Sequence, residues 1–185
     1  MSDFTLWFNN IISLIILLGN VFFVLIIIAF FTRSVNLSKK FLNLVKRYSY
    51  QSLFLLSFGG VVGSLIYSEI IGFAPCILCW YQRIFLYSIA ILTAVALIKK
   101  EKVLNAYLLS LAIPGAIIGF YQYAVTVLGA PSLTPCTVEG GSCAITYFVN
   151  FGYITIPFMA FSTFALIILI ILTDKFWKNN NHKNV

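Results

Sequence analysis

The chain has 185 residues, of which 61% are hydrophobic and only 9% charged, and its formal net charge is +7. This composition excludes a soluble globular domain, because membrane spans of about 20 residues each account for almost the whole length. In a soluble protein, twelve lysine and arginine residues against five acidic ones would suggest nucleic acid as a partner. Here the excess indicates membrane topology instead, so we predict a protein of the lipid bilayer with no nucleic-acid partner.

The first apolar segment, Ile11–Phe31, is long enough to cross a bilayer. A secretory signal peptide carries its basic residues before the apolar core, whereas here Asp3 precedes the core and Arg33 follows it. We therefore interpret residues 1–32 as a retained transmembrane helix whose N-terminus lies outside. Residues 33–47 contain five basic residues and no acidic one. They are predicted to form a basic cytoplasmic loop, with a patch for lipid or nucleic acid as the alternative.

Residues 48–174 contain four further apolar segments of transmembrane length, and residues 175–185 are predicted to be a polar cytoplasmic tail. The predicted fold class is therefore an all-α integral membrane protein, a four-helix transmembrane bundle with one extra N-terminal helix. Its four predicted spans are about Tyr48–Ser68, a segment from the C-x-x-C motif to just before Lys99, Asn105–Leu128 and Gly152–Thr173. Two glycine pairs at i,i+4 spacing, Gly59/Gly63 and Gly115/Gly119, predict close approach of helices.

The distribution of charge predicts the orientation of the five spans. Eleven of the twelve basic residues fall in three segments on one side of the predicted membrane, and all four cysteines fall on the other. The positive-inside rule then places the N-terminus outside and the C-terminus inside. We predict a multi-pass protein of the bacterial cytoplasmic (inner) membrane, with its cysteines on the periplasmic or extracellular face.

The C-x-x-C motif at Cys76 and Cys79 lies where a short loop becomes an apolar helix. The unpaired N–H groups and positive dipole end of a helix N-terminus favour a thiolate over a thiol, which suits redox chemistry. Arg83 lies four residues after Cys79 on the same helical face, where its charge favours a thiolate or a bound anion. An arginine at or just inside the membrane interface is a candidate functional residue. Half of a metal site and a small structural disulfide are the alternatives for this motif alone.

The second cysteine pair, Cys136 and Cys143, lies in the outer loop between the fourth and fifth spans. Disulfides are expected on this oxidising side, and four cysteines allow three pairings. Two purely structural disulfides are the alternative, although a three-residue turn closed by Cys76–Cys79 gains little loop-closure entropy. A four-cysteine metal site would need both loops to converge, so no metal site is predicted. Trp80 in place of histidine excludes a c-type haem motif.

Three features together resemble the DsbB family of disulfide-forming quinone reductases. They are the motif C-x-x-C-W-Y-Q-R beginning at Cys76, the outer pair Cys136/Cys143, and the sequence G-Y-I-T-I-P-F-M beginning at Gly152. The resemblance covers about Ser49 to Asp174 and is strongest to the short, BdbC-like members.

The resemblance implies a protein-dithiol:quinone oxidoreductase with catalytic Cys76, Cys79, Cys136 and Cys143. A soluble DsbA-like oxidase with a thioredoxin fold would be reoxidised at Cys136, and Cys143 would help to resolve the mixed disulfide. Cys76 would exchange with the loop pair, while Cys79 would pass electrons to a membrane quinone, either ubiquinone or menaquinone. Arg83 would hold the quinone oxygen.

Three features depart from the family pattern. The chain has an extra N-terminal span, which either anchors the protein or recruits a partner, and only six residues separate Cys136 from Cys143. Gln122 falls where relatives carry a histidine near the quinone, so we predict that Gln122 contacts the cofactor and that quinone protonation uses another group or water. The alternative functions are a VKOR-like quinone-coupled thiol oxidoreductase and a non-enzymatic membrane scaffold with disulfide-braced outer loops.

Overall fold

The regular structure of the chain is α-helical, as its long apolar segments predict. The computed structural model describes residues 3–32, 34–100, 105–127 and 145–177, and this part of the chain contains no β-strand. The helices are α1 (Asp3–Phe31), α2 (Asn36–Arg47), α3 (Ser49–Leu65), α4 (Ile77–Lys99), α5 (Asn105–Val127) and α6 (Ile156–Phe176). A π-helical turn, Ile66–Ile70, continues α3.

Five of these helices are long and apolar enough to cross a membrane: α1, α3 with its π-helical turn, α4, α5 and α6. This confirms the predicted all-α, five-span fold, while the orientation in the membrane stays a prediction. In lipid, helices are favoured because they satisfy their backbone hydrogen bonds internally. Helix α1 covers Asp3–Phe31 and so extends beyond the apolar segment Ile11–Phe31, within the residues 1–32 that were predicted. One detail differs from the prediction: most of the segment 33–47, predicted to be a loop, is the amphipathic helix α2.

Helices α3, α4, α5 and α6 pack in a closed ring of four neighbours, with α1 and α2 against α6. The close approach predicted at Gly115/Gly119 is confirmed. A Cβ atom at Gly115 would lie 2.5 Å from the Phe164 ring, and one at Gly119 would lie 3.0 Å from the Phe161 backbone. The prediction for Gly59/Gly63 is wrong, because a Cβ at either position would meet nothing within 4 Å.

The extra helix α1 is fixed to the bundle by a polar face. Asn9, Ser13 and Asn20 follow one another at spacings that place them on the same side of the helix. Tyr67 donates a hydrogen bond of 3.0 Å to Asn9 Oδ1, and Asn150 donates one of 2.9 Å to Ser13 Oγ. Ser162 of α6 donates a hydrogen bond to the Asn20 side chain. Polar contacts of this kind hold helices together in lipid, so α1 is packed on the bundle rather than being a separate anchor.

The end of the bundle remote from the cysteines, which we call the basic end, is joined by the buried carboxylate of Asp174. This carboxylate accepts hydrogen bonds from Ser49 Oγ at 3.1 Å and from Asn105 Nδ2 at 2.7 Å. Tyr50 in turn donates to Asn105 Oδ1 at 2.8 Å. The network therefore connects α3, α5 and α6 at this end.

Candidate functional site

The two cysteines of the C-x-x-C motif lie in contact at the start of α4. Cys76 is the residue before the helix, with extended backbone angles, and its carbonyl accepts the first-turn hydrogen bond from Trp80 N at 3.2 Å. Cys79 lies in that first turn, so the helix brings the two side chains together. The Sγ atoms are 3.0 Å apart, and Cys76 is buried while Cys79 is partly buried. The pair is therefore within reach of a disulfide bond, at the helix position predicted from the sequence.

Gln122 of α5 contacts both sulfur atoms. Its Nε2 lies 3.2 Å from Cys76 Sγ and 3.3 Å from Cys79 Sγ. Gln82 of α4 donates from Nε2 to Gln122 Oε1 at 2.7 Å. Both glutamine side chains are buried. The predicted contact of Gln122 with the cofactor stays a prediction, and nothing in a single glutamine on an apolar span indicated that Gln82 would be its partner.

Arg83 lies buried one helical turn after Cys79, with only 6% of its surface exposed. Its Nε donates to Ser64 Oγ at 2.8 Å and its Nη2 to the Ser64 carbonyl at 2.9 Å. The guanidinium carbon also lies 5.0 Å from the centre of the Trp80 ring, a cation–π distance. Sequence reasoning missed Ser64, because a small hydroxyl residue in a span usually bonds its own helix and carries no sign of a partner elsewhere.

Tyr147 connects the segment after the second cysteine pair to the segment before the first. Its hydroxyl donates to the Ala74 carbonyl at 3.0 Å, and its ring stacks on Phe73 at 4.2 Å between centroids. Desolvation raises the pKa of the Tyr147 phenol, so the hydroxyl keeps the proton that it donates. The ring of Tyr67 extends this stack between Phe73 and Phe148. No sequence pattern pointed to this contact.

The structure thus brings Cys76, Cys79 and Gln122 together, with Arg83 one turn below. Cys136 and Cys143 lie outside the described residues. Within the described ranges, no group of three or more potential ligands could hold a metal ion. A helical membrane bundle with two contacting sulfurs at a helix N-terminus belongs to the class of membrane thiol–disulfide proteins.

The comparisons with known proteins identify the family within that class. The family described as "Disulfide bond formation protein DsbB" matches residues 46–173, so the chain belongs to the DsbB family, whose disulfide formation proteins are oxidoreductases. The matched region contains the four-helix bundle and all four cysteines, whereas α1 and most of α2 precede it. No solved structure matches the chain.

The curated relatives include several disulfide formation proteins of Bacillus. The SPbeta prophage-derived disulfide bond formation protein B of Bacillus subtilis (strain 168) is 42% identical over 134 residues, which cover 70% of this chain and 90% of the relative. Disulfide bond formation protein C of the same organism is 42% identical over 110 residues, 59% of this chain and 79% of the relative. A probable disulfide formation protein C 1 of Bacillus cereus is 39% identical over 122 residues, 64% of this chain and 88% of the relative.

Proposed function

We propose that the protein is a dithiol:quinone oxidoreductase that reoxidises a soluble, DsbA-like oxidase with a thioredoxin fold. The observation that carries the proposal is the sulfur pair of Cys76 and Cys79, 3.0 Å apart at the start of a membrane helix, with a buried arginine one turn below. A dithiol at the start of a membrane helix can exchange with a partner in water and also react with an oxidant dissolved in the lipid. A quinone, ubiquinone or menaquinone, would supply a two-electron acceptor that becomes a quinol.

The proposed reaction balances as two disulfide exchanges followed by one oxidation. A thiolate of the reduced partner attacks Cys136 of the loop disulfide, and Cys143 leaves as a thiolate. The second thiol of the partner, rather than Cys143, then releases the oxidised partner, because attack by Cys143 would only return the reduced partner. The loop dithiol then breaks the Cys76–Cys79 bond and regains its own disulfide. The two electrons and two protons of the Cys76/Cys79 dithiol leave to the quinone, and the disulfide bond forms again. Exchange of this kind requires accessible sulfurs and an attacking thiolate.

The environment of Arg83 fits a bound carbonyl oxygen. Its partners in the described part of the chain are a hydroxyl, a backbone carbonyl and an aromatic ring, all of them neutral. These contacts orient the guanidinium through Nε and Nη2, and no hydrogen bond to Nη1 comes from the residues that the structure describes. A buried cation with neutral partners favours an electron-rich ligand, because such a ligand replaces solvation that burial removes.

The anchoring of Tyr147 supports exchange between the two cysteine pairs. Tyr147 is bonded to Ala74, which lies two residues before Cys76. Cys143 is four residues before Tyr147, a chain length that spans at most about 14 Å. This chain length allows Cys143 to reach the first pair, and it does not require a long loop between Cys136 and Cys143.

The distribution of basic residues supports a cytoplasmic-membrane location with the cysteines facing outward. Lys46 and Arg47 immediately precede α3, while Lys99 and Lys175 lie in the last turns of α4 and α6. All four are at the basic end, opposite the cysteines. The positive-inside rule then assigns the basic end to the cytoplasm.

The test is quinone reduction by the purified full-length protein, supplied with a reduced thioredoxin-fold oxidase. We expect turnover by the wild type, none by Cys79→Ala, and a raised apparent KM for quinone in Arg83→Met. Arg47→Met is the matched control, because Arg47 is exposed at the other end of the bundle. If all four proteins remain folded and are equally inactive with both quinones, the proposal is contradicted. The alternative of a non-enzymatic membrane scaffold with disulfide-braced outer loops would then be favoured.

A further inference from the structure

Two buried amides, Gln82 of α4 and Gln122 of α5, lie beside the cysteine pair. Gln82 is 7% exposed and Gln122 is 4% exposed. A polar side chain buried in a membrane protein is costly unless its groups find partners. Here the Gln122 oxygen accepts a hydrogen bond from Gln82, and the Gln122 N–H groups face the two sulfur atoms rather than an oxygen acceptor.

The contact between the amides determines which end of Gln122 meets the sulfurs. Gln82 Nε2 donates to Gln122 Oε1 at 2.7 Å, so the Gln122 oxygen is directed towards Gln82. The Gln122 Nε2 group then lies 3.2 and 3.3 Å from the two Sγ atoms. Rotating this amide by half a turn would place a carbonyl oxygen against the sulfurs, and an oxygen repels a thiolate whereas an N–H group stabilises it.

We propose that Gln122 is a catalytic residue that binds the thiolate of the Cys76/Cys79 pair, and that Gln82 is a positioning residue that keeps the Gln122 amide in the productive orientation. The role in turnover rests on the proposed function. When the loop dithiol reduces the Cys76–Cys79 bond, one sulfur leaves as a thiolate. Because Gln122 Nε2 carries two hydrogens and contacts both sulfurs, it can bond whichever sulfur bears the charge.

The experiment measures the pH profile of Cys79 alkylation in the full-length protein in lipid bilayers. The protein is reduced, freed of reductant and treated with iodoacetamide, and the Cys79 peptide is quantified by mass spectrometry. The variants are Gln122→Met, Gln82→Met and the double variant, since methionine keeps the length of glutamine and removes its donors. Gln51→Met is the control, because Gln51 is exposed on α3.

We expect Gln122→Met to move the midpoint of the alkylation profile upward by about one pH unit, which is about a tenfold loss of thiolate at pH values well below both midpoints. Gln82→Met should move it in the same direction by a smaller amount, although Gln82 does not contact sulfur. The double variant should match Gln122→Met alone, because a residue that acts only through Gln122 has no effect once Gln122 is gone. Additive shifts, or a Gln82→Met profile equal to that of Gln51→Met, would overturn the inference.

One further variant keeps the outcome interpretable. Gln122→Asn keeps the polar group and withdraws it by one methylene from the sulfurs, so it should raise the midpoint even if Gln122→Met does not fold. An unchanged midpoint in Gln122→Asn, with the fold intact, contradicts thiolate binding. Alkylation needs neither quinone nor partner, so these results stand even when the quinone assay of the proposed function fails.

Discussion

Replacing Ser64 by alanine tests whether α3 orients the arginine of the site. The substitution removes the hydroxyl that accepts from Arg83 Nε at 2.8 Å, while the backbone carbonyl that accepts from Nη2 at 2.9 Å remains. A hydrogen bond to a charged group contributes about 1.5–3 kcal/mol, and partial reorientation of the guanidinium recovers some of it. A net loss of about 1–1.5 kcal/mol in Arg83 orientation corresponds to a five- to tenfold weaker hold on a ligand oxygen.

The assay for Ser64→Ala is steady-state quinone reduction, with KM and kcat for quinone determined separately. We expect a five- to tenfold rise in KM with kcat within about twofold of wild type, because the change affects binding and leaves the sulfurs untouched. Ser68→Ala is the matched control, since Ser68 lies about one turn later, in the π-helical turn that continues α3, and bonds only locally. If Arg83→Met raised KM while Ser64→Ala behaved like Ser68→Ala, the assignment of Ser64 as the residue that orients Arg83 would be refuted.

Three further substitutions test individual contacts in different parts of the fold. Gly115→Val should lower the thermal midpoint of unfolding strongly or prevent folding, because its Cβ would lie 2.5 Å from the Phe164 ring. Gly59→Val is the control and should leave the midpoint near wild type, because a Cβ at Gly59 would have no atom within 4 Å. Tyr147→Phe keeps the ring stack and removes one hydrogen bond, so oxidation of the protein partner should slow by about fivefold while oxidation of a small dithiol should not. Asp174→Ala should destabilise the bundle by about 1–3 kcal/mol in a denaturant titration, since it leaves buried donors without an acceptor. For each of the three substitutions, a result equal to wild type would contradict the importance of the contact that it removes or disturbs.

The number and type of the helices could be predicted because each one corresponds to a long, continuous apolar segment of the sequence. Apolar segments of transmembrane length separated by basic clusters predict the number of spans, since lipid leaves the backbone few alternatives to a helix. The same reasoning located the C-x-x-C motif at a helix start. The polar face of α1 was also present in the sequence, because Asn9, Ser13 and Asn20 share one side of an otherwise apolar helix.

The glycine pairs illustrate why helix packing was only partly predictable. Gly59/Gly63 and Gly115/Gly119 have the same spacing, yet only the second pair meets a neighbouring helix. On α3 the close contact is instead at Gly60, where a Cβ would lie 2.8 Å from Leu86. The rotation of a helix about its own axis decides which face meets a neighbour, and in a span apolar on all sides the sequence pattern does not specify that rotation.

The partners of the site residues were not predictable for a related reason. Gln82 and Gln122 are 40 positions apart, and Ser64 and Arg83 are 19 apart, so each contact depends on how two helices are placed side by side. A glutamine or serine in a span shows that some partner is needed but not which one. The sequence therefore indicated the candidate sulfurs and the nearby cation, and the structure supplied the side chains that contact them.

The contacts of Gln122 and Arg83 assign the two residues to different tasks, which the sequence left open for the arginine. Arg83 directs Nε and Nη2 towards Ser64 on α3, whereas Gln122 directs its N–H groups to the sulfurs. These contacts support the proposals that the amide solvates the thiolate and that the guanidinium holds a ligand oxygen. We expect Arg83→Met to raise the KM for quinone while moving the pH midpoint of Cys79 alkylation by less than about half a unit, and Gln122→Met to do the reverse. If both variants changed both quantities to the same extent, the division of tasks would be wrong, and the two side chains would have to be treated as one electrostatic unit around the sulfurs.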